Sequence, residues 1–511
     1  MASFSSINIS NHGENSTLNL DRVPRLMPRS QKVLLPMTCA AAAINSITMG
    51  YDTMMMSSLI AVPQFTEYFN LNPTTNGLMN ASVWMGSIIS CLLMQYMADH
   101  LGRRRTILVA SLFSFVGVAL QTASTDNMGM FIFARVVLGF CTQLTGAASP
   151  LMVAEVAPKK IRGFMVGMYF TCFNAGAIIA SGITFRTEDI HGTWAWRLPS
   201  LLQAIPSALS IFLLIFVPES PRWMISKGRY DYATEVLGIS NNLTKSQADV
   251  MVQEIQSTIE EEKQDTKGAW PTLLRPSRPD QKRLIMIVSL ALISELGGSS
   301  VGSYYLTVIL RQAGITGTKK LLEINLISSC WNFVCAVCGA YSFDYLGRRK
   351  QAIGSLTGMI ITFALLGGFV KMFGQSTNTK GQYATIFLMF LFNGFYNFCV
   401  TPLNCLYPSE LFPMKTRAAG TTIFKFCNCA AGLLGTFILP IAMDNVEWKF
   451  YIINAGYDVL FLIIVILFWV ETKGLSLEVI GKNLGEAPPL VLSDGSDSVS
   501  EVHEIHTSKK Q

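Results

Sequence analysis

Asp99-His100-Leu101-Gly102-Arg103-Arg104-Arg105 decides the reading of this chain, because it returns as Asp344-Tyr345-Leu346-Gly347-Arg348-Arg349-Lys350. Each copy is a short charged link between two long apolar runs. A second pair supports the first. Glu155 and Arg162 flank Val-Ala-Pro-Lys-Lys-Ile, and Glu410 and Arg417 flank Leu-Phe-Pro-Met-Lys-Thr, so the same Glu-x₆-Arg spacing appears twice. Charges kept at one spacing in two distant places mark a chain built from two similar halves.

The apolar runs around these links set the solvent. Half of the 511 residues are hydrophobic and only 14% are charged, too few charges to cover a water-soluble protein of this size. A helix needs about 20 apolar residues to cross a bilayer. Twelve such runs cover 34–60, 76–98, 105–124, 129–151, 162–184, 195–217, 283–310, 321–344, 350–371, 383–406, 416–440 and 449–470. Backbone groups in lipid must be paired within the segment, so each run predicts a helix and the fold class is an all-α membrane protein. The expected organisation is an N-terminal segment 1–33, a six-helix half 34–217, a central loop 218–282, a second six-helix half 283–470 and a tail 471–511. Within the loop, Glu254 to Lys263 reads as a charged surface helix, and Pro271, Pro276 and Pro279 close it. The tail, rich in Ser, Asp and Glu, reads as disordered.

Arginine and lysine give the orientation. Arg103 to Arg105, Lys159-Lys160-Arg162, Arg348 to Lys350 and Lys415/Arg417 fall in alternate loops, while 61–75 and 125–128 contain neither residue type. The excess of basic residues on the inside of membranes then puts both termini in the cytoplasm. The net charge of +6 is spread over these links and forms no stripe, which argues against nucleic-acid binding. All eleven cysteines lie in apolar runs and read as small packing residues; Cys335 and Cys338 have no second ligand pair, so no metal is expected. The polar start of the chain, ending in Arg22, Arg25, Arg29 and Lys32, contains no cleavable signal pattern. No phosphate-gripping loop or nucleophile–base pair points to an enzyme or to a cofactor.

Six motifs in order resemble the signature set of the major facilitator superfamily and of its sugar porters. They are Asp99-x-x-Gly102-Arg103-Arg104 and its second copy, Arg135-x-x-x-Gly139, Pro218-Glu-Ser-Pro-Arg222-Trp223, Tyr407-Pro-Ser-Glu410 to Arg417, and Glu471-Thr-Lys-Gly474. Thr401 to Arg417 and Asn428-x-Ala-Ala-Gly432 look closest to fungal lactose-permease-like members. The resemblance implies twelve helices in two pseudo-symmetric halves, with the solute bound between them near mid-membrane. It also implies a cytoplasmic gate in which Asp99, Glu155, Glu219, Asp344, Glu410 and Glu471 pair with Arg103, Arg162, Arg348 and Arg417 between helix ends. The alternative is that these charges only mark where helices leave the membrane.

Ionisable residues inside a membrane are costly and therefore informative. In proton-coupled relatives an aspartate at the position of Asp52, partnered by the arginine matching Arg135, takes up and releases the transported proton. The bland reading of Asp52 is a permanent structural bridge. Substrate positions depart from the family pattern: its Gln-Gln-x-Ser-Gly-x-Asn appears as Ser294-Glu295-Leu296-Gly297-Gly298-Ser299-Ser300 before Tyr304-Tyr305, and Phe170 and Cys405 replace a glutamine and a tryptophan. Asn332 and Asn428 keep the family's polar type. An unpaired buried hydroxyl costs on the order of 1–3 kcal/mol, so these losses argue against an ordinary hexose. The candidate solute contacts are thus Phe170, Glu295, Ser300, Tyr304, Asn332, Lys425 and Asn428, with further polarity from Asn45, Gln143, Asn174, Ser303, Asn393, Asn397 and Asn404. Glu295 and Lys425 are expected either to pair with each other or to meet a charged solute. Phe395, Tyr396, Phe398 and Met54 to Met56 read as packing, or else as an aromatic wall.

The expected function is proton-coupled carriage of a sugar or sugar-like solute, as a monomer in the plasma membrane. A transporter of another small organic molecule, in either direction, is the alternative. A nutrient sensor on the same fold is less supported, since such sensors carry long signalling tails.

Overall fold

The computed structural model describes residues 26–125, 128–158, 161–266, 273, 275–298, 300–301, 310, 317–373, 379–473, 475 and 477–485. These residues form helices and short connections, with no strand among them. In chain order the first half contains α1 (Gln31–Leu59), α2 (Pro63–Tyr68), α3 (Pro73–Leu101), α4 (Arg103–Ala123), α5 (Met128–Val156), α6 (Arg162–Thr187), α7 (Trp194–Leu202) and α8 (Ala204–Phe216). The loop folds into α9 (Pro221–Ser226), α10 (Tyr230–Asn241) and α11 (Lys245–Thr266). The second half contains α12 (Arg278–Leu296), α13 (Thr318–Leu346), α14 (Arg348–Phe373), α15 (Thr379–Leu411), α16 (Met414–Val446) and α17 (Lys449–Phe468), followed by α18 (Leu477–Leu484).

Eleven spans among the described residues are long and apolar enough to cross a membrane, α7 and α8 together making one of them. The twelfth run, expected over 283–310, corresponds to α12 and residues 300, 301 and 310; the rest of it lies outside the described residues. Several spans reach 29 residues or more, longer than hydrocarbon requires, so they tilt or project into the interfaces. The sixth span breaks at Gln203. Pro206 has no N–H for the carbonyl of Leu202, and its ring crowds that carbonyl, which ends α7 one turn earlier. The tail also departs from expectation, since α18 is helical before residue 486, from which the chain lies outside the described residues.

Local chemistry explains where helices start. Asn72 accepts from the Thr75 backbone N–H at 2.8 Å while its own N–H donates to Thr75 Oγ1 at 2.8 Å, with Pro73 opening the first turn of α3. Ser220 caps α9, accepting from the Trp223 N–H at 3.2 Å. Pro279, expected to close the central loop, instead opens α12, with Ser277 as its N-cap.

Packing repeats across the two halves. In the first, α1 lies on α6, and α5 on both α3 and α4; in the second, α12 lies on α16, and α15 on both α13 and α14. Glycine allows these contacts to be backbone to backbone. A Cβ on Gly86 or Gly139 would stand 1.9 or 2.0 Å from a carbonyl oxygen of the facing helix, and one on Gly339 would stand 1.8 Å from the Phe398 oxygen. Two seams join the halves, α3 on α16 and α6 on α13. At the first, Gly432 makes room for the Trp84 ring and the Cys91 and Cys429 sulfurs lie 3.7 Å apart; at the second, Ser181 and Ser329 hydroxyls meet at 3.2 Å. Large apolar side chains such as Leu92, Phe133, Phe387 and Leu467 point outward, while many Ser, Thr and Asn side chains are buried among the apolar residues of the interior. This is the arrangement lipid solvent selects.

Gly102 and Gly347, the glycines of the repeated link, have φ of +95° and +85°, and a Cβ there would lie 2.5 and 2.6 Å from the carboxylates of Glu219 and Glu471. Gly347→Ala should therefore cost about 1–3 kcal/mol in strain and lower the apparent Tm of the purified protein. Gly354→Ala, where no atom lies within 4 Å, is the control and should leave Tm unchanged or raise it. Equal behaviour of the two variants in a thermal-unfolding assay would refute the strain argument.

Candidate functional site

At one end of the bundle the repeated links gather carboxylates onto helix starts. Glu219 accepts from the backbone N–H groups of Arg104 at 2.9 Å, Arg105 at 3.4 Å and Ser220 at 3.0 Å, capping the positive end of α4. Glu471 does the same for α14, with Arg348 N at 2.8 Å, Arg349 N at 3.1 Å and Thr472 N at 3.1 Å. Arg103 donates to Glu155 at 3.2 Å and to Asp99 at 3.3 Å. Arg348 grips Glu410 with two nitrogens, at 2.8 and 3.2 Å, the bidentate geometry that a planar guanidinium supplies. Ser220 completes Glu155, and Thr472 completes Glu410 at 2.6 Å. The Arg103–Glu155 and Arg348–Glu410 pairs each lie within one half.

Two further expected gate arginines reach backbone carbonyls. Arg162 reaches the carbonyl of Ala157 at 3.4 Å and Arg417 that of Phe412 at 3.3 Å. Both fold back five residues onto carbonyls freed at the end of the preceding helix, which a cation near a helix C-terminus satisfies. The side chain of Asp344 lies outside the described residues.

Deeper in the bundle, Arg135 Nη1 donates to Asp52 Oδ1 at 2.5 Å, and Gln203 Nε2 donates to the same oxygen at 2.8 Å. Both charged groups are buried, at 2% and 0% exposure. Sequence reading missed Gln203, although the nearby prolines hint at the break that turns it toward Asp52. It also missed Asp458, in the middle of α17, which is fully buried with neither carboxylate oxygen hydrogen-bonded. A carboxylate inside the apolar run 449–470 was the available signal.

Between the halves lies a cavity of about 220 Å³, near the lower end of small-molecule sites. Helices α1, α3, α5, α6, α12, α13, α15 and α16 all contribute to it. Glu295, Ser300, Asn332, Lys425 and Asn428 line it, as expected, together with Gln143, Asn174, Asn393, Asn397 and Asn404. Asn45 does not; its amide is held between Ser149 at 3.0 Å and Ser210 at 2.9 Å, tying α1 to α5 and α8. The side chain of Phe170, and all of Ser303 and Tyr304, lie outside the described residues. Glu295 Oε1 accepts from Asn428 Nδ2 at 3.1 Å, and Ser300 Oγ donates to the Glu295 carbonyl at 3.4 Å. Mutual pairing of Glu295 and Lys425 is not formed. The amide of Asn428 takes the carboxylate instead, and Lys425, one turn earlier on the same face of α16, makes no ion pair within 4 Å among the described residues.

The aromatic readings divide. Tyr396 and Met54 line the cavity, with the Tyr396 hydroxyl donating to the Ser294 carbonyl at 2.9 Å. Phe395 instead packs against Gly358. Trp84, Tyr169 and Phe173 complete the wall and were not anticipated.

Comparison with known proteins follows this geometry. The family described as "Sugar (and other) transporter" matches residues 38–484. The low-affinity glucose transporter HXT4 of Saccharomyces cerevisiae is 25% identical over 486 residues, covering 92% of this chain and 83% of that protein. The MFS-type transporter criB of Aspergillus cristatus is 27% identical, covering 87% and 92%. Among solved structures, the inward-open xylose transporter XylE from E. coli superposes with a TM-score of 0.73 at 22% identity, covering 88% of this chain and 99% of that one. These likenesses agree with the two-halved all-α architecture and extend over nearly all of the described bundle. The chain is a multi-pass membrane transporter and belongs to the sugar (and other) transporter family.

Proposed function

We propose that this transporter moves a sugar or sugar-like solute together with protons, by rocking its two halves about the central cavity so that the cavity faces each side in turn. Both termini lie in the cytoplasm and the membrane is the plasma membrane. The chain works as a monomer, since each half supplies walls to a single cavity. The observation that carries the reading is the buried Asp52–Arg135 pair, extended by Gln203. An ionisable pair buried at this depth marks a path for protons or ions, and its carboxylate is the group that can carry the proton. Asp52 sits on α1 and Gln203 at the break of the sixth span, so bending of that span changes the carboxylate's partners. Relatives whose names specify glucose transport or proton:xylose symport support the solute class and the coupling.

The paired charges at the helix starts act as a gate by holding the cytoplasmic ends of each half as rigid units. Arg103 with Glu155 and Arg348 with Glu410 fix the second and third spans to the fourth. The eroded sugar contacts and the two cavity charges favour a second reading, carriage of a small organic solute that is not a sugar.

Uptake of a panel of labelled sugars and organic acids in hexose-transporter-deficient yeast tests the proposal. Accumulation should be abolished by a protonophore and by Asp52→Asn, while exchange of solute across the membrane persists in Asp52→Asn. Accumulation that survives both treatments would sink proton coupling through Asp52.

The seam offers a test of rocking. Copper–phenanthroline oxidation should join Cys91 to Cys429 and halt transport reversibly, with reductant restoring it and Cys91→Ser insensitive. Undiminished transport by the fully cross-linked protein would refute relative motion at this level of the α3–α16 seam.

A further inference from the structure

The two charges of the cavity have unequal surroundings. Glu295 is partnered inside the protein, one oxygen accepting from Asn428 at 3.1 Å. Lys425 lines the same space and, among the described residues, has no carboxylate within 4 Å and no hydrogen-bond acceptor; its Nζ lies 6.0 Å from the ring of its neighbour Phe424. A half-buried ammonium that lines a solute cavity without a carboxylate in contact is placed to take one from a ligand.

The neutral groups of the cavity tell the same story. Trp84 Nε1 and Asn174 Nδ2 are buried donors without acceptors, and both residues line the cavity. Asn332 Oδ1 is a buried acceptor without a donor. With Lys425, three donors therefore await acceptor atoms. An ionised carboxylate supplies acceptors and no donors, whereas hydroxyls supply both. The orphaned oxygen of Asn332 and the carboxylate of Glu295 need the hydroxyl hydrogens.

We infer that the solute is a hydroxylated monocarboxylate, of the sugar-acid class, whose carboxylate pairs with Lys425 while its hydroxyls bond to Glu295, Asn332 and Asn174. This rests on the proposal above that the central cavity is the solute site, and it narrows the solute within that reading. A neutral hexose would leave the ammonium without a carboxylate in contact. A cationic amine would meet a carboxylate already bonded to Asn428 and would be repelled by Lys425.

The test uses the full-length protein in nanodiscs, with binding of D-glucuronate and D-glucose measured by calorimetry. The two share a ring and differ at one carbon, where one bears a carboxylate. Wild type should bind glucuronate more tightly than glucose. Lys425→Gln should weaken glucuronate about ten- to a hundred-fold and leave glucose within a few-fold, while Lys425→Arg should retain the preference for the acid. Size-exclusion profiles matching wild type exclude misfolding as the cause. Equal or tighter binding of glucose by wild type, or equal weakening of both ligands by Lys425→Gln, would overturn the inference and leave the sugar reading standing. Binding of neither ligand by well-folded wild type would overturn both.

Discussion

Hydrocarbon cannot hydrogen-bond to a peptide group, and every feature of this chain follows from that constraint. Each crossing segment has to satisfy its own backbone, so the chain becomes a set of long helices. The core that water would have driven together is replaced by contacts between helices, which depend on close approach. Glycine supplies it where α3 meets α5 and where α13 meets α15. Polar side chains, expensive toward lipid, turn inward and become the material from which the site is made.

The same constraint shows at the helix ends. A helix that starts at the edge of the membrane exposes unpaired N–H groups, and in both halves a carboxylate from after the last span returns to cover them. Glu219 and Glu471 are therefore pinned to positions that only glycine can vacate, Gly102 and Gly347. Arginines of the same links reach to the fourth span of their own half. Each half is thus tied together at its helix ends, and the two halves meet mainly along two seams.

Charge inside the bundle is handled in three ways. Asp52 and Arg135 neutralise each other, away from the cavity. Glu295 is softened by an amide. Lys425 is left to the cavity itself. This graded treatment separates the buried pair from the charges that line the cavity.

Much of this was legible in the sequence because it is written in local patterns. Apolar run lengths, basic links and the twofold return of Asp-x-x-Gly-Arg-Arg depend only on neighbours in the chain, and they foretold an all-α membrane protein of two related halves. Asp52 with Arg135, and the cavity positions of Glu295, Asn332, Lys425 and Asn428, were legible because charge and amide are rare in such runs. What tertiary structure alone decided was which partner each polar group found. Gln203 reached Asp52 through a proline-made break, Asn428 took the hydrogen bond to Glu295, and Arg162 turned back to a carbonyl. These choices are made between helices, across distances set by packing, where hydrogen bonds of similar energy compete. Residue type and spacing along one helix carry no record of which competitor is nearest.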